Sequence, residues 1–290
     1  MSEHRPPEQT DPRTEHDPRS DGSEQAAPAA RSTGAAAEAG KDEDRTRFHR
    51  QPLSFVRRGD RLTNRRQRAW DELAPERILE VPREVTDTSV AAHAAFDQEA
   101  VYGRRAPLVV EIGSGLGEAM ARRAAEVPDR DFLAVEVYTP GLADLLAKSD
   151  AAGATNVRAV QANAPEVLEH FLEPASVDEL WVFFPDPWHK KRHHKRRLIS
   201  PGFVEKVARV LRPGATWRLA TDWQEYAVQM REVIEADGRF ENLHPGPLAT
   251  DEDPDQGWAP RWEGRVLTSF ERKAREAGRI PRDLTYRFSG

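Results

Sequence analysis

Short apolar runs alternate with longer stretches of helical composition along residues 107–221. Because near-continuous apolar strands separated by about 10 to 15 helical residues are typical of parallel βαβ units, the pattern predicts an α/β fold with a mostly parallel, doubly wound sheet. The predicted strands are LVVEIG, FLAVEV, VRAVQA, DELWVFF and TWRLAT, at 108–113, 132–137, 157–162, 178–184 and 216–221. The predicted helices are 116–127, 140–152, 165–172 and 201–211.

The first fifty residues differ in composition from the rest. They contain no Val, Ile, Leu, Trp or Tyr and a single Phe, Phe48. Such a segment cannot bury enough apolar surface to offset the entropy lost on ordering. We therefore predict a disordered tail at 1–50 and one domain at 51–290.

The domain begins with a basic arm at about residues 53–73. Its sequence SFVRRGDRLTNRRQRAWDEL interleaves arginines with Phe55, Val56, Leu62 and Trp70. The arm either docks on the domain through these apolar residues, with its arginines solvated, or contacts phosphates.

Composition excludes several classes of protein. The chain has no cysteine, which excludes disulfides, thiolate metal sites and a cysteine nucleophile. Its net charge of −6 argues against a uniformly basic nucleic-acid-binding protein, so any contact with nucleic acid has to be local. Because no apolar run is as long as a membrane span, we expect a cytoplasmic protein without a membrane partner.

A glycine-rich segment follows the first strand of the series. Glu111, Gly113, Gly115 and Gly117 form the pattern E-x-G-x-G-x-G, and in such folds ligands bind at the carboxyl ends of the strands. A dinucleotide fingerprint would place its third glycine where this chain has Glu118, whose charge would oppose a pyrophosphate. The segment therefore favours a ligand without phosphate over a nicotinamide cofactor.

Glu136 ends the second strand, where a carboxylate can accept hydrogen bonds from both hydroxyls of an adenosine ribose. S-adenosylmethionine has such a ribose, carries a sulfonium cation and lacks phosphate. These features favour a methyltransferase that uses S-adenosylmethionine, and a nicotinamide enzyme stays open as the alternative.

The fourth strand leads into FFPDPWHKKRHHKRR, residues 183–197. Asp186 lies between two prolines and is expected at the same sheet edge as the glycine-rich segment. It is either a solvated residue in a rigid turn or a carboxylate held beside the cofactor, where a flat, hydrogen-bonding base could bind.

The basic run that follows is either a solvated face or a phosphate-binding patch, and its cations are Lys190, Lys191, Arg192, Lys195, Arg196 and Arg197. His189 and His193 have the i, i+4 spacing of a metal pair. No third ligand is apparent and the neighbouring cations would repel a metal ion, so we expect no metal.

Several motifs, in this order and spacing, resemble the tRNA (guanine-N7-)-methyltransferase family. They are EIGSGLGE, FLAVEV, FFPDPWHKKRHHKRR, ATDW at 220–223 and LTSFE at 267–271, and the resemblance covers about residues 53–290. It implies a Rossmann-like class I methyltransferase fold, S-adenosylmethionine as methyl donor, and tRNA as partner. It also implies that N7 of guanine 46 in the tRNA variable loop is the methylated atom.

The resemblance carries roles to individual residues. It makes Glu111, Glu136 and Asn163 cofactor residues and places Asp186 at the reaction centre, near both cofactor and base. The guanosine would be held by Lys190, Asp222, Thr268, Ser269, Phe270 and Glu271. Asn163 and Ser269 depart from the family, which often has Asp and usually Lys or Arg at these positions. Without the resemblance, LTSFE would indicate an ordinary helix start with Thr268 or Ser269 as N-cap.

Other functions stay open at this point. An enzyme that methylates an exocyclic amine would carry D-P-P-[YFW], whereas Trp188 here follows a single proline. A small-molecule methyltransferase would not need the basic run, and a non-catalytic RNA-binding protein would not need the glycine-rich segment. The sequence leaves the choice between monomer and homodimer open.

Overall fold

The computed structural model describes residues 61–247 and 256–290, all within one unit, His49–Gly290. The predicted tail at 1–50 and the first part of the predicted arm, up to residue 60, lie outside the described residues.

Eight strands form one sheet in the described part of the chain, in the order β1-β4-β3-β2-β5-β6-β8-β7. Strands β1 to β6 pair in parallel, and β8 runs antiparallel to both β6 and β7. The predicted α/β fold with a mostly parallel, doubly wound sheet is confirmed. The strands are Ile78–Leu79, Leu108–Ile112, Asp131–Glu136, Val157–Gln161, Val177–Phe183, Leu211–Thr221, Phe240–Asn242 and Arg282–Phe288, numbered β1 to β8 in this order.

The helices named α1 to α8 are Asn64–Arg77, Gln98–Tyr102, Glu118–Glu126, Thr139–Ala151, Ala164–Glu166, Pro201–Val210, Gln224–Glu235 and Ser269–Glu276. Three of the four predicted helices are confirmed within two residues at each end, as α3, α4 and α6. The fourth predicted helical stretch, 165–172, is also helical, but only its start is α-helical: α5 is a single turn that continues as a π-helical turn at Val167–Phe171.

The core lies on both faces of the sheet. All five residues of β2 are buried, and successive side chains enter opposite layers. Val109 packs in the layer with Met120 and Leu142, while Leu108 and Val110 pack in the other layer. Because both faces are covered, apolar residues occupy four of the five positions of β2, which made the strand recognisable in the sequence.

Helix α1, which contains the described end of the arm, packs on α4. Arg65 and Arg66 donate hydrogen bonds to the two carboxylate oxygens of Asp144, at 2.8 and 2.6 Å. The Asp144 side chain is 5% exposed and that of Arg66 25%, so Arg66 is held against the domain, whereas Arg65 pairs with the same carboxylate but stays 75% exposed. Phosphate contact by the rest of the arm stays a prediction.

The strand order sets the position of the functional site. In the sheet, β3 and β4 lie on one side of β2, whereas β5 and β6, which come later in the chain, lie on its other side. The strand order therefore reverses its direction between β2 and β5. Such a reversal opens a crevice at the carboxyl ends of the strands. The crevice receives the segments that follow β2, β3 and β5.

Candidate active site

A cavity of about 720 Å³ occupies this crevice. Its walls are the glycine-rich segment after β2, the end of β3, the segment after β5 and the first turn of α8. Pockets of about 300 to 1,000 Å³ are typical of small-molecule and cofactor sites. The structure thus brings together Glu111, Gly113, Gly115, Glu136, Asp186, Lys190, Thr268, Ser269 and Phe270.

Two glycines explain how the loop after β2 is shaped. Gly117 has a φ of 67°, and a Cβ there would lie 2.4 Å from a Leu145 side-chain atom, so only glycine fits against α4. Gly113 has a φ of 71° and open space where a Cβ would project. The loop is therefore packed on α4 at one end and open to a ligand at the other.

The Glu136 carboxylate holds this loop in place. It accepts hydrogen bonds from the backbone N–H groups of Gly115, Val137 and Tyr138, at 2.8, 2.7 and 3.0 Å. Burial raises the pKa of Glu136 even though these three bonds oppose the shift, and the charge of Asp186 adds to it. Its predicted contact with a ribose stays a prediction, but the residue does line the cavity.

Glu111 is a buried carboxyl group in the cavity wall. It is 3% exposed, and its Oε2 has no hydrogen-bond partner among the described residues. Burial and the nearby Glu136 together raise the pKa of Glu111 to about 8. A buried carboxyl oxygen without a partner is costly, and a cationic or hydrogen-bond-donating ligand in the cavity would relieve that cost.

Asn163 follows β4 and lies between two cavity-lining residues, Ala162 and Ala164, but is not itself part of the lining. Its side-chain amide donates to Glu166 Oε1 at 3.0 Å, and Glu166 Oε2 accepts from the Val90 N–H. Asn163 is therefore built into the cavity wall. Its contact with an adenine ring stays a prediction.

Asp186 lies on a strained loop. The residues on either side of Pro185–Pro187, Phe184 and Trp188, have φ values of 53° and 47°, in the left-handed region that aromatic residues rarely adopt. Such strain costs about 1 to 3 kcal/mol for each residue and is found chiefly at functional sites. The loop presents an exposed Asp186 to the cavity.

Arg197 does not belong to the predicted phosphate-binding patch, so that part of the prediction is wrong. It is 2% exposed, lies over the Tyr226 ring, and donates to the Gln229 side chain and to the carbonyl oxygen of Pro187. The reason is that the run changes direction after a 3-10 helix, Lys191–Arg196, and turns its last arginine into the core.

The remaining cations of the run stay at the surface. Lys190, Lys191, Arg192, Lys195 and Arg196 are exposed, and we call them the basic rim. Lys190 and Arg196 also line the cavity, and the Arg196 guanidinium lies 5.0 Å above the Trp188 ring. The rim borders the cavity next to Asp186.

Asp222 and Glu271, by contrast, are not among the cavity-lining residues. Asp222 follows β6 and forms an ion pair with Arg279 at 2.6 Å. Glu271 is fully buried and pairs with Arg261, Arg265 and Arg275 at 2.7 to 2.8 Å. The structure does not bring either carboxylate to the cavity surface, and their contact with a guanosine stays a prediction.

The segment at 268–270 starts α8 and forms one wall of the cavity. Thr268 Oγ1 accepts a hydrogen bond from the Glu271 N–H at 3.1 Å, so the predicted helix start with Thr268 as N-cap is confirmed. Glu118 and Arg66 also line the cavity, and neither is among the site residues predicted from the sequence. The only sequence feature that could have indicated a role for Glu118 is its position, since it stands where a dinucleotide fingerprint has its third glycine.

Two further structural findings apply to residues 61–247 and 256–290. No group of three or more His, Cys, Asp or Glu side chains in these ranges could hold a metal ion. No helix there is both long and apolar enough to span a bilayer.

Comparison with known proteins places the chain among methyltransferases. A family model described as "Putative methyltransferase" matches residues 105–281. The tRNA (guanine-N(7)-)-methyltransferase of Paenarthrobacter aurescens is 52% identical, over 81% of this chain and 91% of its own length. The protein of the same name from Cutibacterium acnes is 46% identical, over 86% of this chain and 87% of its own length.

A solved structure of a 16S rRNA methyltransferase is also similar, with a TM-score of 0.47 and 22% identity over 74% of this chain and 99% of that one. This level of likeness says nothing about the substrate.

Proposed function

The chain belongs to the tRNA (guanine-N(7)-)-methyltransferase family, whose members use S-adenosylmethionine, and we propose that it methylates N7 of guanine 46 in the tRNA variable loop. The observation that carries the proposal is the meeting of two features in one cavity. The cavity is lined by Glu111, a buried carboxyl group that a cationic or hydrogen-bond-donating ligand would satisfy, and the strained loop that presents Asp186 borders the same space.

The residues present fit the cofactor. S-adenosylmethionine supplies a methyl group bound to a positively charged sulfur. Glu111 and Glu136 place two carboxyl groups beside the glycine-rich loop, where they favour a cation and disfavour a phosphate. Gly113 leaves the loop backbone open to close approach by the cofactor. Asn163, which lies between the lining residues Ala162 and Ala164, would form a hydrogen bond with the adenine ring.

Asp186 would act on the base rather than remove a proton. Guanine N7 has a free lone pair and bears no proton, so its attack on a methyl group requires no general base. The Asp186 carboxylate would accept hydrogen bonds from the Watson–Crick edge of the guanine and stabilise the positive charge that develops on the ring. Holding N7 in line with the methyl group supplies much of the remaining rate enhancement.

Neighbouring residues would hold the guanosine. Phe184 and Trp188 flank Asp186 and offer aromatic surface to an unstacked base, as is common where single-stranded RNA is recognised. Lys190, Thr268, Ser269 and Phe270 line the same cavity and would contact the nucleoside. Asp222 and Glu271 lie outside the cavity lining, and they would also hold Arg279 and the start of α8 in place.

The basic rim would bind the tRNA phosphates. Its five cations all lie within residues 190–196, and Lys190 and Arg196 line the cavity, in a chain whose net charge is −6. Phosphate contacts set the position and orientation of a nucleic acid without reading its sequence. Selection of guanine 46 would then depend on the shape of the tRNA and on the fit of the base in the cavity.

The test uses S-adenosylmethionine labelled on its methyl group and two unmodified tRNA transcripts that differ only in having G or A at position 46. We expect label in the G transcript alone, with N7-methylguanine mapped to that position by chemical strand cleavage. Label in both transcripts would contradict the proposed site and favour methylation of another atom, such as an exocyclic amine. Label in neither, despite cofactor binding, would indicate another RNA or a small molecule as substrate.

A further inference from the structure

Glu118 forms a hydrogen bond between two segments of the cavity wall, the end of the glycine-rich loop and the start of α8. It is the first residue of α3, and its Oε2 accepts a hydrogen bond from the backbone N–H of Ser269, the first residue of α8, at 2.7 Å. The two residues are 151 positions apart in the chain, and both line the cavity. The glycine-rich loop and the start of α8 are therefore joined directly.

Phe270 lies against the same loop. Its ring atom Cε2 is 3.3 Å from where a Cβ at Gly115 would lie, which is within direct packing distance of the loop backbone. The residue is nevertheless 43% exposed and lines the cavity. A large apolar side chain is left partly uncovered beside the loop, where a ligand seated on that loop would cover it.

The rest of α8 is held independently of Glu118. Glu271 pairs with three arginines, and one of these, the fully buried Arg265, also bonds both carboxylate oxygens of Asp283 in β8. Loss of the bond from Glu118 would therefore free Ser269 and Phe270 from the glycine-rich loop, while Glu271 and the residues after it stay attached to the sheet.

From this geometry we infer that Glu118 is a positioning residue that holds Ser269 and Phe270 on the glycine-rich loop, and that Phe270 contacts the methyl donor as well as the tRNA. The inference deepens the proposed function and rests on it for the identity of the donor. It assigns to the start of α8 a part in cofactor binding, beyond the guanosine contact that the family resemblance implies. The two substrates would then share one wall of the cavity.

Cofactor binding without tRNA tests the inference. The probe is S-adenosylhomocysteine, with its Kd measured by isothermal titration calorimetry on the full-length protein. Loss of a charge-assisted hydrogen bond or of apolar contact corresponds to about a tenfold change in affinity, so Glu118→Ala and Phe270→Ala should each raise this Kd about tenfold. Glu118→Gln should stay within about twofold, because its amide oxygen still accepts the Ser269 N–H.

Arg272→Ala is the matched control on the same helix. Arg272 is exposed and is not part of the cavity lining, so its loss should leave the Kd for S-adenosylhomocysteine unchanged. Thermal unfolding of each variant identifies any general loss of fold. Should Glu118→Ala fail to fold, Phe270→Ala decides alone, because that residue is at the surface and its replacement leaves no internal cavity.

The opposite result is a normal Kd for S-adenosylhomocysteine in both Glu118→Ala and Phe270→Ala with a raised KM for tRNA. It would show that the start of α8 serves the tRNA only and would overturn the inference. Failure of the proposed function is a separate outcome, since a protein that methylates a position other than guanine 46 would leave these cofactor affinities as expected.

Discussion

Arg197 Nε donates a hydrogen bond to the carbonyl oxygen of Pro187 at 2.8 Å, which ties a buried guanidinium to the residue directly after Asp186. The same guanidinium lies 4.8 Å from the centre of the Tyr226 ring. Arg197 therefore links the strained loop to Tyr226 and Gln229 of α7. A residue that sequence alone places among the phosphate-binding cations instead supports the loop that carries Asp186.

Replacement of Arg197 by Lys should lower kcat more than it raises the KM for tRNA. Lysine keeps the charge but loses the planar fork that donates to Pro187 and Gln229 at once. We expect kcat to fall about tenfold, as for the loss of a well-made hydrogen bond to a positioned group. Steady-state kinetics measure both parameters. A raised KM at normal kcat would instead place Arg197 in tRNA binding.

Removal of two cations from the basic rim should have the reverse effect. The double variant Lys191→Ala, Lys195→Ala should weaken tRNA binding. The logarithm of the tRNA association constant should also fall less steeply with the logarithm of the salt concentration, with a slope smaller in magnitude by about two, one for each lost phosphate contact. Filter binding at several salt concentrations gives the slope. At saturating tRNA, kcat should be retained, and an unchanged slope would mean that neither lysine touches phosphate.

The pKa of Glu111 predicts how cofactor binding depends on pH. With a pKa of about 8, this carboxyl is mostly protonated at neutral pH in the free protein, and a cationic cofactor binds better to its ionised form. Affinity for S-adenosylmethionine should rise as the pH increases toward about 8 and then level off. Calorimetry across this range should show the rise in the wild type and its absence in Glu111→Gln.

The same residue predicts a cost in stability. Because the folded pKa of Glu111 lies above its ordinary value of 4.5, its contribution is favourable below that value and is lost as the pH rises toward 8. Without cofactor, Glu111→Gln should therefore gain thermal stability relative to the wild type as the pH rises. An equal difference in Tm at low and high pH would contradict the raised pKa.

Gly117→Ala should destabilise the fold more than Gly153→Ala. Both glycines have φ near 70°, so each alanine bears the cost of a left-handed backbone, about 1 to 2 kcal/mol. A Cβ at Gly117 would also overlap Leu145, whereas Gly153 has nothing within 4 Å of that position. Chemical denaturation should give the larger loss in unfolding free energy for Gly117→Ala. Equal losses would mean that Leu145 and α4 shift to accommodate the Cβ at no cost in stability.

The sheet could be predicted from sequence because its central strands are buried on both faces. The rule that parallel strands end at one edge then brought Glu111, Glu136 and Asp186 together correctly. The antiparallel β8 was missed because its run RDLTYRF carries charges at three of seven positions. Helix α1 was missed because its buried face consists of Ala69, Ala74 and Arg77, which give no apolar periodicity.

Tertiary pairing explains the predictions that failed at single residues. Nothing in the run KKRHHKRR distinguishes Arg197 from its neighbours, since its burial depends on Tyr226 and Gln229 in a later helix. Likewise, the partners of Asp222 and Glu271 are arginines that the fold brings to them. These ion pairs and hydrogen bonds form between residues that are distant in the chain, so the sequence around each residue does not indicate them.

The most direct test of the reaction centre is single-turnover methylation of the guanine-46 transcript by Asp186→Ala, with cofactor and tRNA both saturating. Loss of a group that stabilises developing charge should slow the chemical step about 10²- to 10³-fold, while the Kd for S-adenosylhomocysteine changes little. A rate close to that of the wild type would contradict the account, because methyl transfer would then not depend on the carboxylate that this cavity presents.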